Sequence, residues 1–323
     1  MWHAVNEWIA TQIAYVYYAK GMTLIVSSPN DIVRSTLEKF GDDIQIVDWD
    51  IRGPAPVQKI DIVVTPLISG NPDYQYLDGV DFTYLQCSTL GYDAVLPHLS
   101  AHHVLANAKT VHETSTAELT LALTLAMQRQ IPRSVRSQAA GNWDTFYSHG
   151  LADQRVVLVG VGGVGTAIAQ RLAPFEVDLV RVGRSERDDA DGHVFATSQL
   201  PQLLPDADIV ILIVPATNET RGMVDDEFLS LLKDDALVVN MARGVIVDTD
   251  AMVKHADRLR FAFDVVDPEP LPATHPLYSH PNVLISAHNG GYSEALAPRL
   301  KRLIERQVRH LLAGEELENI IRR

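Results

Sequence analysis

Three short stretches in the last third of the chain carry residue types that can do chemistry together. Met241-Ala242-Arg243-Gly244 follows one apolar run. Asp264 and then Asp267-Pro268-Glu269-Pro270 follow the next, and Ala287-His288-Asn289-Gly290-Gly291 follow a third. Arginine offers a planar fork that matches a carboxylate in two-point contact. Histidine gives and takes a proton near neutrality, and a neighbouring carboxylate favours the imidazolium and fixes the ring. Taken singly, Arg243 is a surface charge, Glu269 a loop acid and His288 a loop histidine. What joins them is placement at consecutive strand ends, because ligands of an open parallel sheet gather beyond the carboxyl ends of its strands.

The element that would share that edge with them is Arg155–Leu172, RVVLVGVGGVGTAIAQRL. It reads as a buried strand, a glycine turn and an Ala/Ile/Leu helix. In the G-x-G-x-x-G spacing, Gly160 permits the tight turn, Gly162 lets backbone approach a pyrophosphate, and Gly165 lets helix and strand pack closely. Gly163 and Val164 then open the helix, whose N-terminal amides and dipole favour phosphate. The expected ligand is a dinucleotide.

The rest of the chain must position these pieces. With 323 residues there is room for two domains, and 46% apolar residues suit a globular fold. A formal charge of −14 argues against nucleic acid or an anionic membrane as partner. A single cysteine, Cys87, rules out an intrachain disulfide and fits a reducing, cytoplasmic setting. Residues 1–21 have no basic start and an interrupted apolar run, so they read as an N-terminal extension rather than a signal peptide or membrane span.

From Met22 onward, apolar runs at 22–28, 44–47, 60–64 and 82–86 alternate with helical and turn segments, which predicts a small parallel α/β unit. Ser115-Thr116-Ala117-Glu118 reads as a capping box opening a helix to about residue 130. That helix is apolar on more than one face, so it is expected to be buried between domains or against another subunit. After the glycine turn, runs at 177–182, 208–214, 236–240, 259–263 and 282–286 bring that sheet to six strands. A last helix, about 293–313, is surplus to it and is expected to return to the first domain. The predicted fold is α/β with two Rossmann-like domains: a doubly wound, dinucleotide-binding parallel sheet (107–290) inserted in a smaller flavodoxin-like substrate domain (22–106 plus 291–323).

MARGVIVDTDAM, FDVVDPEPLPATHPL and NVLISAHNGGYSEAL resemble signature blocks of the D-isomer-specific 2-hydroxyacid dehydrogenases. So do AELTLALTLAMQRQIP, GNWD at 141–144 and PATNETRGMVDDEFL at 215–229, in the family's order. The resemblance implies that Arg243 binds the substrate carboxylate and polarises its keto oxygen, that His288 is the general acid/base, and that Glu269 pairs with it. It also implies that Asp264 holds the nicotinamide carboxamide, with Pro215, Ala242 and Gly290 lining the cofactor. The implied activity is reversible reduction of a small 2-keto acid such as glyoxylate or hydroxypyruvate by NAD(H) or NADP(H). A homodimer built on the apolar helix is implied as well. The alternatives are a phosphoglycerate dehydrogenase, for which no basic phosphate anchor can be assigned, and a non-catalytic dinucleotide sensor or corepressor on the same scaffold.

Two departures from the family pattern bear on specificity. An NAD-binding sheet usually ends its second strand with an acid for the ribose 2′-hydroxyl. Here the strand runs into Val182-Gly183-Arg184-Ser185-Glu186-Arg187. Arg184, Ser185 and Arg187 could accept a 2′-phosphate, so NADP is favoured over NAD. The glycine-rich substrate turn of the family is written Cys87-Ser88-Thr89-Leu90-Gly91, where the amides of Thr89, Leu90 and Gly91 could still contact a carboxylate. His98, His102 and His103 have no acid or cysteine at ligand spacing, so no metal site is expected.

Overall fold

The computed structural model describes residues 23–67 and 72–322. The extension predicted for 1–21 lies outside the described residues. The chain divides into two compact units, one running through His112 and resuming at Ser293–Arg323, the other Glu113–Tyr292.

The first unit opens with β1 (Leu24–Ser28), whose Leu-Ile-Val core suits a buried strand. Asn30 then caps α1 (Asp31–Leu37), its side chain accepting from the Val33 amide. β2 (Ile44–Asp48), β3 (Ile62–Val64), β4 (Tyr84–Gln86) and β5 (Val104–Ala106) follow.

The second unit begins with α2 (Glu113–Gln128). The expected capping box is not its start: Ser115 and Thr116 lie inside the helix and are buried. Two threonines further along show how hydroxyls are accommodated inside this helix, by bonding back to the preceding turn. Thr120 Oγ1 donates to Thr116 O and Thr124 Oγ1 to Thr120 O, both at 2.7 Å. Within its own unit Ala117, Leu121, Leu123 and Met127 share a core with Leu158, Ile168 and Ile209, while Leu119 and Leu125 are only partly buried. After α3 (Ile131–Ala139) come β6 (Arg155–Val159), α4 (Gly163–Leu172) and β7 (Asp178–Gly183). A hairpin of β8 (Arg187–Asp189) and β9 (Gly192–Ala196) leads to α5 (Leu200–Leu203) and β10 (Ile209–Leu212). The unit closes with α6 (Asp226–Leu231), β11 (Leu237–Asn240), α7 (Thr249–His255), β12 (Arg260–Phe263) and β13 (Val283–Ile285).

Its sheet has eight strands in the order β13-β12-β11-β10-β6-β7-β9-β8, parallel throughout except for β8. The six expected strands are all present. The two additional ones are the hairpin, which has no apolar run to announce it: Arg187, Asp188 and Asp189 are all exposed. The strand order reverses between β6 and β10, and there the glycine turn sits, at the switch point of a doubly wound sheet.

Back in the first unit, α8 (Leu296–Ala313) starts three residues later than expected and packs on α1. Leu296, Leu300, Leu303, Ile304, Val308 and Leu311 form the buried stripe that a 3.6-residue period predicts. β14 (Ile320–Arg322) pairs antiparallel with β5, completing the order β14-β5-β4-β3-β1-β2. No helix among the described residues is long and apolar enough to cross a membrane.

Candidate active site

The glycine turn is built as its spacing requires. Gly160 has φ 118°, a conformation a side chain opposes, and a Cβ there would lie 2.4 Å from Ile213 O. A Cβ on Gly165 would come within 2.0 Å of Gly160 O, so only glycine lets α4 start this close to β6. Gly162 and Gly163 are exposed, and nothing would meet a Cβ on Gly162. The first turn of α4 is thus exposed at Gly162 and Gly163, with the Glu113 side chain 3.2 Å from where a Gly163 Cβ would be, and its N-terminal amides are of the kind that bind a pyrophosphate.

On the same sheet edge, three neighbouring strands deliver the predicted residues. Asn240, buried at the end of β11, shapes the Arg243 turn: its Oδ1 accepts from the Ala242 amide and its Nδ2 donates to Arg243 O, each at 3.1 Å. Arg243 is half-buried, with Nη1 donating to Ala242 O at 2.7 Å. The turn lies so close to the next strand end that a Cβ on Gly244 would overlap Val266 O at 2.1 Å.

Asp264, buried at the end of β12, organises the loop after β13. Its Oδ1 accepts from Ser286 Oγ (2.5 Å) and the Asn289 amide (2.7 Å), and its Oδ2 from the Gly290 amide (2.8 Å). The His288 amide donates to Asp264 O at 2.5 Å. Ala287 and His288 both adopt left-handed backbone, φ 53° and 59°. So held, His288 Nδ1 donates to Glu269 Oε1. That bond fixes the proton on Nδ1 and leaves Nε2 with no protein partner among the described residues. Gly290 is needed because a Cβ would lie 2.8 Å from Asp264 Oδ2. The structure thus brings Arg243, Asp264, Glu269, His288 and Gly290 together with Ala242. Asn240, Ser286 and Asn289, which hold them, were not singled out in the sequence; the one available signal was a polar residue closing the apolar run LVVN.

Beyond β7 the basic residues divide. Arg184 pairs with Glu219 (Nη2 to Oε1 2.7 Å), both highly exposed, across the switch point from the loop after Pro215. Arg187 folds back to donate to Ser185 O at 3.1 Å. Its Nη1 lies 3.1 Å from where a Gly183 Cβ would be, a point that is also 3.2 Å from Val161 Cγ2 in the glycine turn. Glu186 turns outward, against His193 (3.3 Å) and Gln199 (3.5 Å).

In the first unit, Thr89 Oγ1 donates to Gly91 O, and the carbonyls of Thr89 and Leu90 accept from the Ala108 amide and Asn107 Nδ2. The amides of Thr89, Leu90 and Gly91 have no acceptor among the described residues. Burial pushes the adjacent Cys87 thiol up to about 12, with Asp93 adding to the shift, so this thiol is not a thiolate nucleophile. His103 stacks on Phe82 at 4.0 Å and shares Ser100 with His102. Burial, then His102 and Arg322, depress its pKa.

An open, doubly wound sheet with this cradle, and with a histidine–carboxylate pair and an arginine on the same edge, defines a dinucleotide-dependent oxidoreductase. The family described as D-isomer specific 2-hydroxyacid dehydrogenase, NAD binding domain, matches residues 121–290, and the chain belongs to that family. It is an NAD(P)-dependent oxidoreductase. The human glyoxylate reductase/hydroxypyruvate reductase is 26% identical over 299 residues, covering 85% of this chain and 90% of that one. The glyoxylate reductase of Thermofilum pendens is 29% identical over 263 residues, covering 77% and 78%. A D-isomer specific 2-hydroxyacid dehydrogenase of Xanthobacter autotrophicus, crystallised with NADPH and MES, has the same fold, with a TM-score of 0.79 at 23% identity over 93% of this chain and 98% of that one.

Proposed function

We propose that the protein reduces a small 2-keto acid to the D-2-hydroxy acid with NADP(H) as preferred cofactor. The observation that carries this reading is the His288–Glu269 pair, set on the same edge as Arg243 and the glycine turn. Glycines 160, 162, 163 and 165 with Val164 would hold the pyrophosphate. Pro215, Ala242, Asp264 and Gly290 would flank the nicotinamide half. A bound nicotinamide supplies or takes the hydride. Arg243 binds the substrate carboxylate and polarises the keto oxygen, and His288 Nε2 gives the proton that this oxygen needs as it becomes an alcohol. Glu269 keeps the ring oriented and stabilises the imidazolium before the transfer. In the reverse direction Nε2 removes the same proton. The unpartnered amides of Thr89, Leu90 and Gly91 are assigned to the anionic substrate, which makes the first unit the substrate domain and Glu113–Tyr292 the cofactor domain.

The preference for NADP(H) is supported by Arg187 lying over Gly183 beside the glycine turn, by Ser185 next to it, and by an outward Glu186. A homodimer is supported by the apolar residues that the second unit leaves uncovered. Trp143 and Tyr147 are about fully exposed, and Ile131 and Val135 are 49% and 59% exposed on α3. Purified protein assayed with NADPH and NADH against glyoxylate, hydroxypyruvate and longer 2-keto acids tests the activity. Turnover with at least one acid is expected, with kcat/KM favouring NADPH. No cofactor oxidation with any acid overturns the reaction, and a ratio favouring NADH overturns the cofactor assignment. Light scattering should give twice the chain mass.

A further inference from the structure

The hairpin β8–β9 joins the sheet through β9, which pairs with β7, and one buried cation of β7 ties its turn end down as well. Arg181, on β7 with 8% of its side chain exposed, reaches under the hairpin. Its Nη1 and Nη2 donate to Asp189 Oδ1 and Oδ2, both at 2.7 Å, and Nη1 also reaches Gly192 O at 3.3 Å. Asp191 lies 3.9 Å from the same guanidinium, and its amide donates to Asp189 Oδ1 at 2.9 Å. A buried arginine requires this kind of paired, hydrogen-bonded partner, and a two-point fork fixes orientation as well as distance. Asp189 is held well below the usual carboxylate range, at about 2, chiefly by its hydrogen bonds from Arg181.

The consequence follows from strand geometry. Residues two apart on a strand share a face, so Arg187 and Asp189 lie on one face of β8, while Asp188 lies on the other and meets His193 at 2.9 Å. β8 is the edge strand and pairs with β9 alone. Fixing Asp189 therefore fixes the face of β8 that carries Arg187. That face brings the Arg187 guanidinium to Gly183, its Nη1 3.1 Å from where a Cβ would be, a point that Val161 of the glycine turn also approaches at 3.2 Å.

We propose that Arg181 and Asp189 are positioning residues for cofactor choice: their two-point contact holds the hairpin so that Arg187 stands where a ribose 2′-phosphate would sit. Neither residue touches the cofactor; both act through Arg187. The proposal rests on the NADP(H) reading, and its test separates the two. Calorimetric titration with adenosine 2′,5′-bisphosphate and with 5′-AMP isolates the 2′-phosphate from the rest of the dinucleotide. Wild-type protein should bind the bisphosphate at least tenfold more tightly than 5′-AMP. Asp189→Asn should lose most of that advantage with 5′-AMP affinity unchanged. In turnover the loss should appear in the KM for NADPH, with kcat kept within about twofold. Arg181→Lys keeps the buried charge without the fork, so it should lose part of the discrimination; it is the reporter should Asp189→Asn fail to give a cooperative thermal transition. A wild-type protein that does not discriminate overturns the NADP(H) reading and this inference with it. A discriminating wild type whose variants keep the full ratio, or lose both ligands equally, overturns the clamp alone.

Discussion

Replacing Asp264 by asparagine tests whether the His288 loop is held from below. The carboxylate accepts three hydrogen bonds, from Ser286 Oγ, the Asn289 amide and the buried Gly290 amide. An asparagine has one oxygen to offer. Placed at Oδ1, it keeps Ser286 and Asn289 but sets an NH2 against the Gly290 N–H; flipped, it keeps Gly290 and abandons the other two. The smaller loss is one charge-assisted hydrogen bond with a buried donor left unpaired, about 2–3 kcal/mol. The second unit has about 180 residues, and at that size each kcal/mol corresponds to roughly 2–4 °C in melting temperature, so the shift is about 5–10 °C. Function should suffer more. Ala287 and His288 are both left-handed, a conformation that for non-glycine residues stands about 1–3 kcal/mol above the usual wells and persists only while the surroundings impose it. Released from Asp264, the loop relaxes, and displacement of His288 by roughly 1 Å lowers turnover by about 10²-fold. Calorimetry and steady-state kinetics on Asp264→Asn measure both effects, with Ser286→Ala, which removes a single donor, as the milder control. A melting temperature within about 1 °C of wild type with kcat retained would refute the reasoning.

His288→Asn should lower kcat by about 10²–10⁴-fold while leaving the substrate KM within a few-fold, whereas Arg243→Ala should also raise KM; steady-state kinetics with unchanged values in both would reject the proposed roles. Gly165→Ala puts a methyl group 2.0 Å from Gly160 O, so α4 must move away from β6, and calorimetric titration should find dinucleotide binding weakened at least tenfold, in line with overpacking of about 1–3 kcal/mol; unaltered affinity would show that the close approach is not required. Glu219→Gln should strengthen NADPH binding by about 1.5- to 5-fold, the equivalent of an exposed pair of about 0.2–1 kcal/mol, because Arg184 is then available to the 2′-phosphate. Weaker NADPH binding would place Glu219 on the side of the cofactor.

What could be read in the sequence were features that a single residue type or a short spacing encodes. Gly160 and Gly165 are legible because only glycine tolerates the 2.4 Å and 2.0 Å approaches found at those positions. Arg243, Glu269 and His288 are legible because each follows an apolar run, and a parallel sheet aligns such ends by construction. Asn240, Ser286 and Asn289, which hold them, were not, and neither was the holding role of Asp264. Asp264 meets donors 22 to 26 positions away, a pairing that exists only once β12 and β13 lie side by side. The same limit applies to α2: Ser115 three residues before Glu118 has the spacing of a capping box, yet the helix starts at Glu113 and buries Ser115 and Thr116 within it. Periodicity names the buried face of a helix without saying what covers it: Ala117, Leu121, Leu123 and Met127 of α2 pack in their own unit, while Leu119 and Leu125 are only partly buried.

The basic run after β7 shows the same limit for charge. Arg184 and Arg187 follow β7 and read as one phosphate-binding pair, with Arg181 three residues ahead inside the strand. In the fold they divide: Arg181 is turned inward onto Asp189, Arg184 is matched by Glu219 in the open, and Arg187 is folded over Gly183. A neutralised cation contributes little to an incoming phosphate until its partner leaves, and an exposed partner leaves at small cost. The proposed 2′-phosphate recognition therefore depends first on Arg187 and second on Arg184. A count of arginines would predict equal losses from removing either. The geometry predicts that Arg187→Ala abolishes most of the discrimination between NADPH and NADH, while Arg184→Ala removes no more than Glu219→Gln adds.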